Sequence, residues 1–125
     1  MNTTFQSIYP RLPVADLKAS LAFYRKLFGF DPKDILETEG FAILHKDKIG
    51  IQLVSQSSAH PVCPTTVWID CIGVIPLHDS KKDSFYIDFG PEVYSYGRRE
   101  FCVIDPDKHR IIFSEPTSDA ATCEG

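Results

Sequence analysis

The stretch YGRREFCVIDPDKHRIIF, residues 96–113, decides how the rest of the chain folds. REFCVID is rich in strand formers, Asp105-Pro106-Asp107 makes a sharp turn, and RIIFSEP returns as a second strand. The question it raises is whether this hairpin carries a reacting centre or only the wall of a pocket. Working outward, GFAILHKDKIGIQLV has the same shape, two β-rich runs joined at Lys46, Asp47 and Lys48. Laying one hairpin over the other aligns Asp47 with Asp107, Lys48 with Lys108, Ile51 with Ile111 and Leu53 with Phe113. Each hairpin closes a similar series of strand, helix, strand and strand, the pattern of an internal duplication of about 55 to 60 residues.

Upstream of the first hairpin, ADLKASLAFYRKLFGF predicts a helix. Asp16 can cap its start, Leu17, Leu21, Tyr24 and Phe28 follow one face with Phe23 and Leu27 beside them, and Gly29 supplies the left-handed stop. Before it, FQSIYPRLPV reads as extended. Pro10 and Pro13 each remove a ladder donor, which places this strand at a sheet edge or in a crossing segment. After the helix, Asp34 to Thr38 is expected to form a short strand. The linker QSSAHPVCP leads to the strand TTVWIDC, in which Trp68 is expected in the core. A second helix is expected in IGVIPLHDSKKDS, short or broken because Pro76 interrupts it. FYIDFGPEVYSYG alternates strand and loop, and TSDAATCEG reads as a frayed end.

The 125 residues suit one domain, and a composition 43% hydrophobic and 24% charged is that of a folded globular chain. A formal charge of -4 argues against nucleic acid as a partner, since phosphate-backbone binding needs clustered Lys and Arg. The N-terminal residues lack a signal-peptide pattern and no run is apolar enough to span a membrane, so the expected location is cytoplasmic, with no membrane partner. Cys63, Cys71, Cys102 and Cys123 form no CxxC pair and are expected as reduced thiols, Cys71 and Cys102 as small hydrophobes and Cys123 in a mobile tail. His45, His60, His78 and His109 are expected at turns or on the surface, without metal-ligand spacing.

Taken in order, PVADLKASLAFYRKLFGF, GFAILHKDKIGIQL and YGRREFCVIDPDKHRIIF resemble the glyoxalase, bleomycin-resistance and extradiol-dioxygenase superfamily, the vicinal oxygen chelate proteins. The resemblance spans roughly residues 5–116. It implies an α+β fold of two βαβββ modules, about 4–56 and 64–116, whose sheets curl into an open cup within one domain of residues 1–118, followed by a flexible tail at 119–125. Metal-using members place ligands on the first and last strands of each module. Here those positions fall on Tyr9, near Pro64, on Gln52 and on Ile112, and only Gln52 is a plausible ligand, whereas a catalytic divalent ion normally takes about three. No metal or other cofactor is therefore expected.

The resemblance points instead to binding of the bleomycin-resistance type. Phe41 aligns with an aromatic that opens the third strand of those proteins, and Tyr96 with the tryptophan before their Gly-x-x-Glu-Phe stretch. Aromatics from this region stack on a flat part of the antibiotic. The expected ligand-binding residues are Phe41, Gln52, Tyr96, Arg98, Arg99, Glu100 and Ile112, with no catalytic residue. The acidic residues Asp31, Asp34, Glu37, Glu39, Asp88 and Glu92 would attract a cation. A homodimer is also implied, with the N-terminal strand exchanged. The alternatives are a metal-dependent lyase, isomerase or dioxygenase that uses Gln52, and a partner-binding module without a ligand.

Overall fold

In the computed structural model, which describes residues 2–122, the chain divides between 63 and 64 into two compact units with the same plan. The fold is α+β, and each unit is a βαβββ module. The first runs β1 (Arg11–Val14), α1 (Leu17–Phe28), a 3-10 turn at Pro32–Asp34, β2 (Ile35–Thr38), β3 (Phe41–Lys46) and β4 (Ile49–Ser55). The second runs β5 (Thr66–Asp70), α2 (Val74–Lys81), β6 (Ile87–Tyr94), β7 (Arg98–Ile104) and β8 (Arg110–Pro116). The sheets are ordered β1-β4-β3-β2 and β5-β8-β7-β6, and the first strand of each runs parallel to the last while all other pairs are antiparallel.

In the first module α1 forms as expected. Asp16 accepts a hydrogen bond from the Ala19 N–H at 3.1 Å, and Gly29 at φ 75° closes the helix on the Arg25 carbonyl. Leu21, Tyr24 and Leu27 of α1 and Leu12, Val14, Ala42, Leu44, Ile51 and Leu53 of the sheet are all buried. Strand alternation puts these six sheet residues on one face, so burying each larger side chain contributes roughly 1.5 to 3 kcal/mol on that side only. Lys46 donates to the Phe28 and Gly29 carbonyls, at 3.1 and 3.3 Å, where α1 ends.

In the second module the helix expected to be short or broken is short and continuous. Pro76 is the third residue of α2, after the Gly73 N-cap, and a first-turn N–H has no intrahelical acceptor to lose. Val74 of α2 is buried, and His78 lies edge-on to Phe101 at 5.3 Å. Beneath them Phe101, Val103, Ile111 and Phe113 are buried on one sheet face. Glu115 accepts hydrogen bonds from the Gly73 and Val74 N–H groups at 2.9 and 3.2 Å, seating α2 on β8 by its N-terminus.

The hairpin at 105–109 is built around one buried carboxylate. Asp105 accepts from the N–H groups of Asp107 and His109 at 2.9 and 2.8 Å, and Lys108 takes φ 69° to complete the turn. His109, expected on a turn or at the surface, is at the turn and fully buried, with its Nδ1 accepting from the Thr65 N–H at 3.1 Å. The segment expected to fray is tied back as far as Thr122, which exchanges hydrogen bonds with Val93 and reaches Glu92 at 2.7 Å. Cys123 lies outside the described residues. Burial pushes the Cys102 thiol up to about 11, helped by the charge of Asp88, and also raises Cys71, so neither is a ready nucleophile.

Candidate functional site: the sheet faces without a helix

Each module packs its helix on one face of its sheet, and the other side carries the residues singled out from the sequence except Arg99. In the first module Arg11 pairs with Gln52 and Gln52 with Ile43, so these three side chains share the helix-free face, with Phe41 two residues along. The Arg11 Nε donates to the Gln52 Oε1 at 2.9 Å, and its guanidinium lies 5.5 Å from the centre of the Phe41 ring. Next to them the Tyr9 hydroxyl bonds the His45 Nδ1, their rings stack 5.6 Å apart, and the Tyr9 ring covers Gly50. A cavity of about 360 Å³ lined by Lys33, Asp34, Ile35, Leu36, Ile43 and His45 opens on this module.

In the second module the helix-free face carries Trp68 and Asp70 of β5, Ile112 and Ser114 of β8, Arg98, Glu100 and Cys102 of β7, and Glu92 and Tyr94 of β6. Glu100 is the hub of this surface and is only 4% exposed. Its carboxylate accepts from Trp68 Nε1 at 3.0 Å, from the Tyr96 hydroxyl at 2.7 Å and from Ser114 Oγ at 2.7 Å. Burial opposes ionisation of this group, but the bonds from Tyr96, Trp68 and Ser114, with the charge of Arg98, outweigh it and hold the carboxyl below its usual range. Tyr96 is pushed up to about 12, by loss of hydration first and then by Glu100, and so stays a neutral donor.

Arg98 closes the network. Its Nε donates to Ser114 Oγ at 2.7 Å, its Nη2 pairs with Asp70, and its guanidinium lies 4.7 Å from the centre of the Trp68 ring. Tyr94 stacks on Tyr96 at 5.5 Å with the rings 9° from parallel. Trp68 itself, expected in the core, is half exposed, because β5 is an edge strand and alternation turns this position away from α2. Arg99 lies on the other face, paired with Glu115 at 3.8 Å and with Asp119, since consecutive strand residues point to opposite sides. The structure thus gathers Tyr96, Arg98, Glu100 and Ile112 in one module and Phe41 and Gln52 in the other, and separates Arg99 from them.

Trp68, Asp70, Ser114 and Arg11 were missed from sequence. Their partners on neighbouring strands stand 14 to 41 residues away, so only the register reveals them. The positions at which metal-using relatives hold their ion do not suit one here. The Gln52 oxygen is bonded to a guanidinium, which repels a cation, Ile112 has no donor atom, and the Tyr9 hydroxyl is engaged by His45. Among the described residues no three His, Cys, Asp or Glu side chains cluster as a metal site. Nor is any helix among them long and apolar enough to cross a membrane.

Two consecutive βαβββ modules, each with a helix on one sheet face, are the plan of the vicinal oxygen chelate class. The family model described as Glyoxalase/Bleomycin resistance protein/Dioxygenase superfamily matches residues 6–66. A bleomycin resistance protein of Geobacillus stearothermophilus is 30% identical over 127 aligned positions that cover 86% of this chain and 94% of the relative. The chain belongs to this superfamily. Two solved structures share the fold. One is a bleomycin resistance determinant encoded on the transposon Tn5, with TM-score 0.73, 18% identity and coverage of 90% of this chain and 98% of that one. The other is the bleomycin-binding protein of bleomycin-producing Streptomyces verticillus complexed with copper(II)-bleomycin, with TM-score 0.70, 20% identity and coverage of 94% and 100%.

Proposed function

We propose that this chain is a metal-free small-molecule-binding protein of the bleomycin-resistance type, which sequesters a flat aromatic or cationic compound without turnover. The observation that carries this reading is the pair of half-exposed rings, Trp68 at 50% and Tyr96 at 55%, whose polar edges are both tied to the buried Glu100 carboxylate. Rings held in this way present apolar area while losing little freedom when a ligand stacks on them. Glu100 and Ile112 would complete the contacts in the second module, where Arg98 borders the rings, and Phe41 and Gln52 would offer contacts in the first. The likeness to bleomycin resistance proteins makes bleomycin the first ligand to try.

The protein acts as a homodimer in this proposal, with its N-terminal segment exchanged between copies. That reading is supported by residues 2–8, which lie exposed ahead of β1 with Phe5 at 94% and Ile8 at 84%. Location in the cytoplasm is part of the same proposal. Because Trp68 is the one tryptophan of the chain, its fluorescence reports directly on the proposed site. Titration with metal-free bleomycin is expected to change that emission saturably, with about one ligand per chain, while native mass spectrometry shows a metal-free dimer. Unchanged emission together with no heat of binding in calorimetry would reject the function, and a monomer of 14.1 kDa would reject the pairing.

A further inference from the structure

We infer that the face of Trp68 is a seat for a planar cation, filled in the free protein by the chain's own Arg98, and that a flat delocalised cation such as an amidinium binds by displacing that guanidinium. The inference rests on the function proposed above and gives that site its ligand class. Arg98 meets there what such a cation needs, an indole face 4.7 Å away, a carboxylate from Asp70 and the hydroxyl of Ser114 at 2.7 Å. The charge on this face is also unbalanced toward cations. Arg110 is paired with Asp88 at 3.3 Å, which among the described residues of this face leaves Arg98 to offset Asp70, Glu92 and Glu100.

The occupant is held by contacts a ligand can take over. Asp70 is well exposed, Trp68 is half exposed, and the arginine side chain is long enough to swing into water once its place is taken. Exchanging one delocalised cation for another keeps the seat's charge constant, whereas a neutral ring would leave Asp70 and the buried Glu100 with less compensation. Arg98 therefore acts as an internal competitor, and the apparent affinity of an incoming cation falls by the fraction of molecules in which the seat is already taken.

The test compares benzamidine with its neutral analogue benzamide by isothermal titration on wild type and Arg98→Met. The expected result is about a tenfold tighter benzamidine complex in the variant, with a much smaller gain for benzamide. Equal or weaker benzamidine binding in the variant overturns the inference, as does an equal gain for both probes. Should Arg98→Met fail to fold, Arg98→Lys keeps the charge but holds the ring less well. It is expected to gain about threefold for benzamidine, and no gain overturns the inference in the same way. Bleomycin titrated into wild type separates the two claims. Bleomycin binding without the benzamidine gain removes the seat and leaves the function, and the gain without bleomycin binding removes bleomycin as the ligand and leaves the seat.

Discussion

In the first module a guanidinium on the edge strand, Arg11, lies over a ring on an inner strand, Phe41, while in the second the ring is on the edge strand and the guanidinium on the inner one, as Trp68 and Arg98. The exchange is matched in place on the edge strand, where Arg11 and Trp68 pair with the equivalent positions Gln52 and Ile112. On the inner strand it is not, since Phe41 opposite Val54 corresponds to Glu100 opposite Ser114, and Arg98 lies two residues away opposite Pro116. Duplication has preserved the framework and reassigned the helix-free faces. The first face holds one neutral amide and one cation, and the second a buried carboxylate with three donors. The second is the more demanding surface, because the Glu100 carboxylate is out of water and depends on those donors.

The largest difference between modules is expected from two glycines. A Cβ at Gly90, where φ is 87°, would meet the Glu100 carbonyl at 2.2 Å, and one at Gly50 would meet the Tyr9 ring at 2.1 Å. The first obstacle is backbone and the second the far end of a side chain. Gly90→Ala should cost about 3 to 5 kcal/mol in urea unfolding, and Gly50→Ala about 1 kcal/mol as Tyr9 gives way. Similar values for both would break the contrast between the modules.

Next in size is Glu100→Gln, which replaces an acceptor of three hydrogen bonds with a group that also donates. It should cost about 2 kcal/mol, while Phe41→Leu at the matching place should cost about 1 kcal/mol. The same residue gives the second module an acid limb. A depressed carboxyl contributes stability that is complete above its ordinary value of 4.5 and is lost as pH falls through the lower folded value. Acid unfolding followed by Trp68 emission should therefore show a decline below that point in wild type that flattens in Glu100→Gln. The smallest effect belongs to the first module. Lys46→Met removes the cation at the end of α1 and should cost about 0.5 to 1 kcal/mol in thermal unfolding.

The fold was legible because its signals are local. Asp16 and Gly29 bound α1, and the two matching hairpins disclose the duplication from sequence alone. Pro76 rightly signals a short α2, but whether it also breaks the helix depends on where α2 begins, and a Gly73 N-cap with no side-chain bond leaves little trace in sequence. Trp68 was misread because Val67 and Ile69 are apolar as well, so alternation in TVWID does not say which set faces the helix. The site was less legible for a different reason. Phe41, Gln52, Tyr96, Arg98 and Glu100 were reachable through likeness to relatives, but the bonds that orient them join strands far apart in the chain, and Arg99 was included although its neighbours on both sides face the other way.

Adjacent residues of β8 serve opposite surfaces. Ser114 joins the network around Glu100, and Glu115 holds the start of α2. Sliding this central strand by a single residue would turn the carboxylate of Glu115 into the cluster of Glu100 and point the hydroxyl at the helix, breaking both attachments together. The helix and the proposed binding surface consequently act as two keys cut on one blade, each excluding the misaligned pairings that would spoil the other.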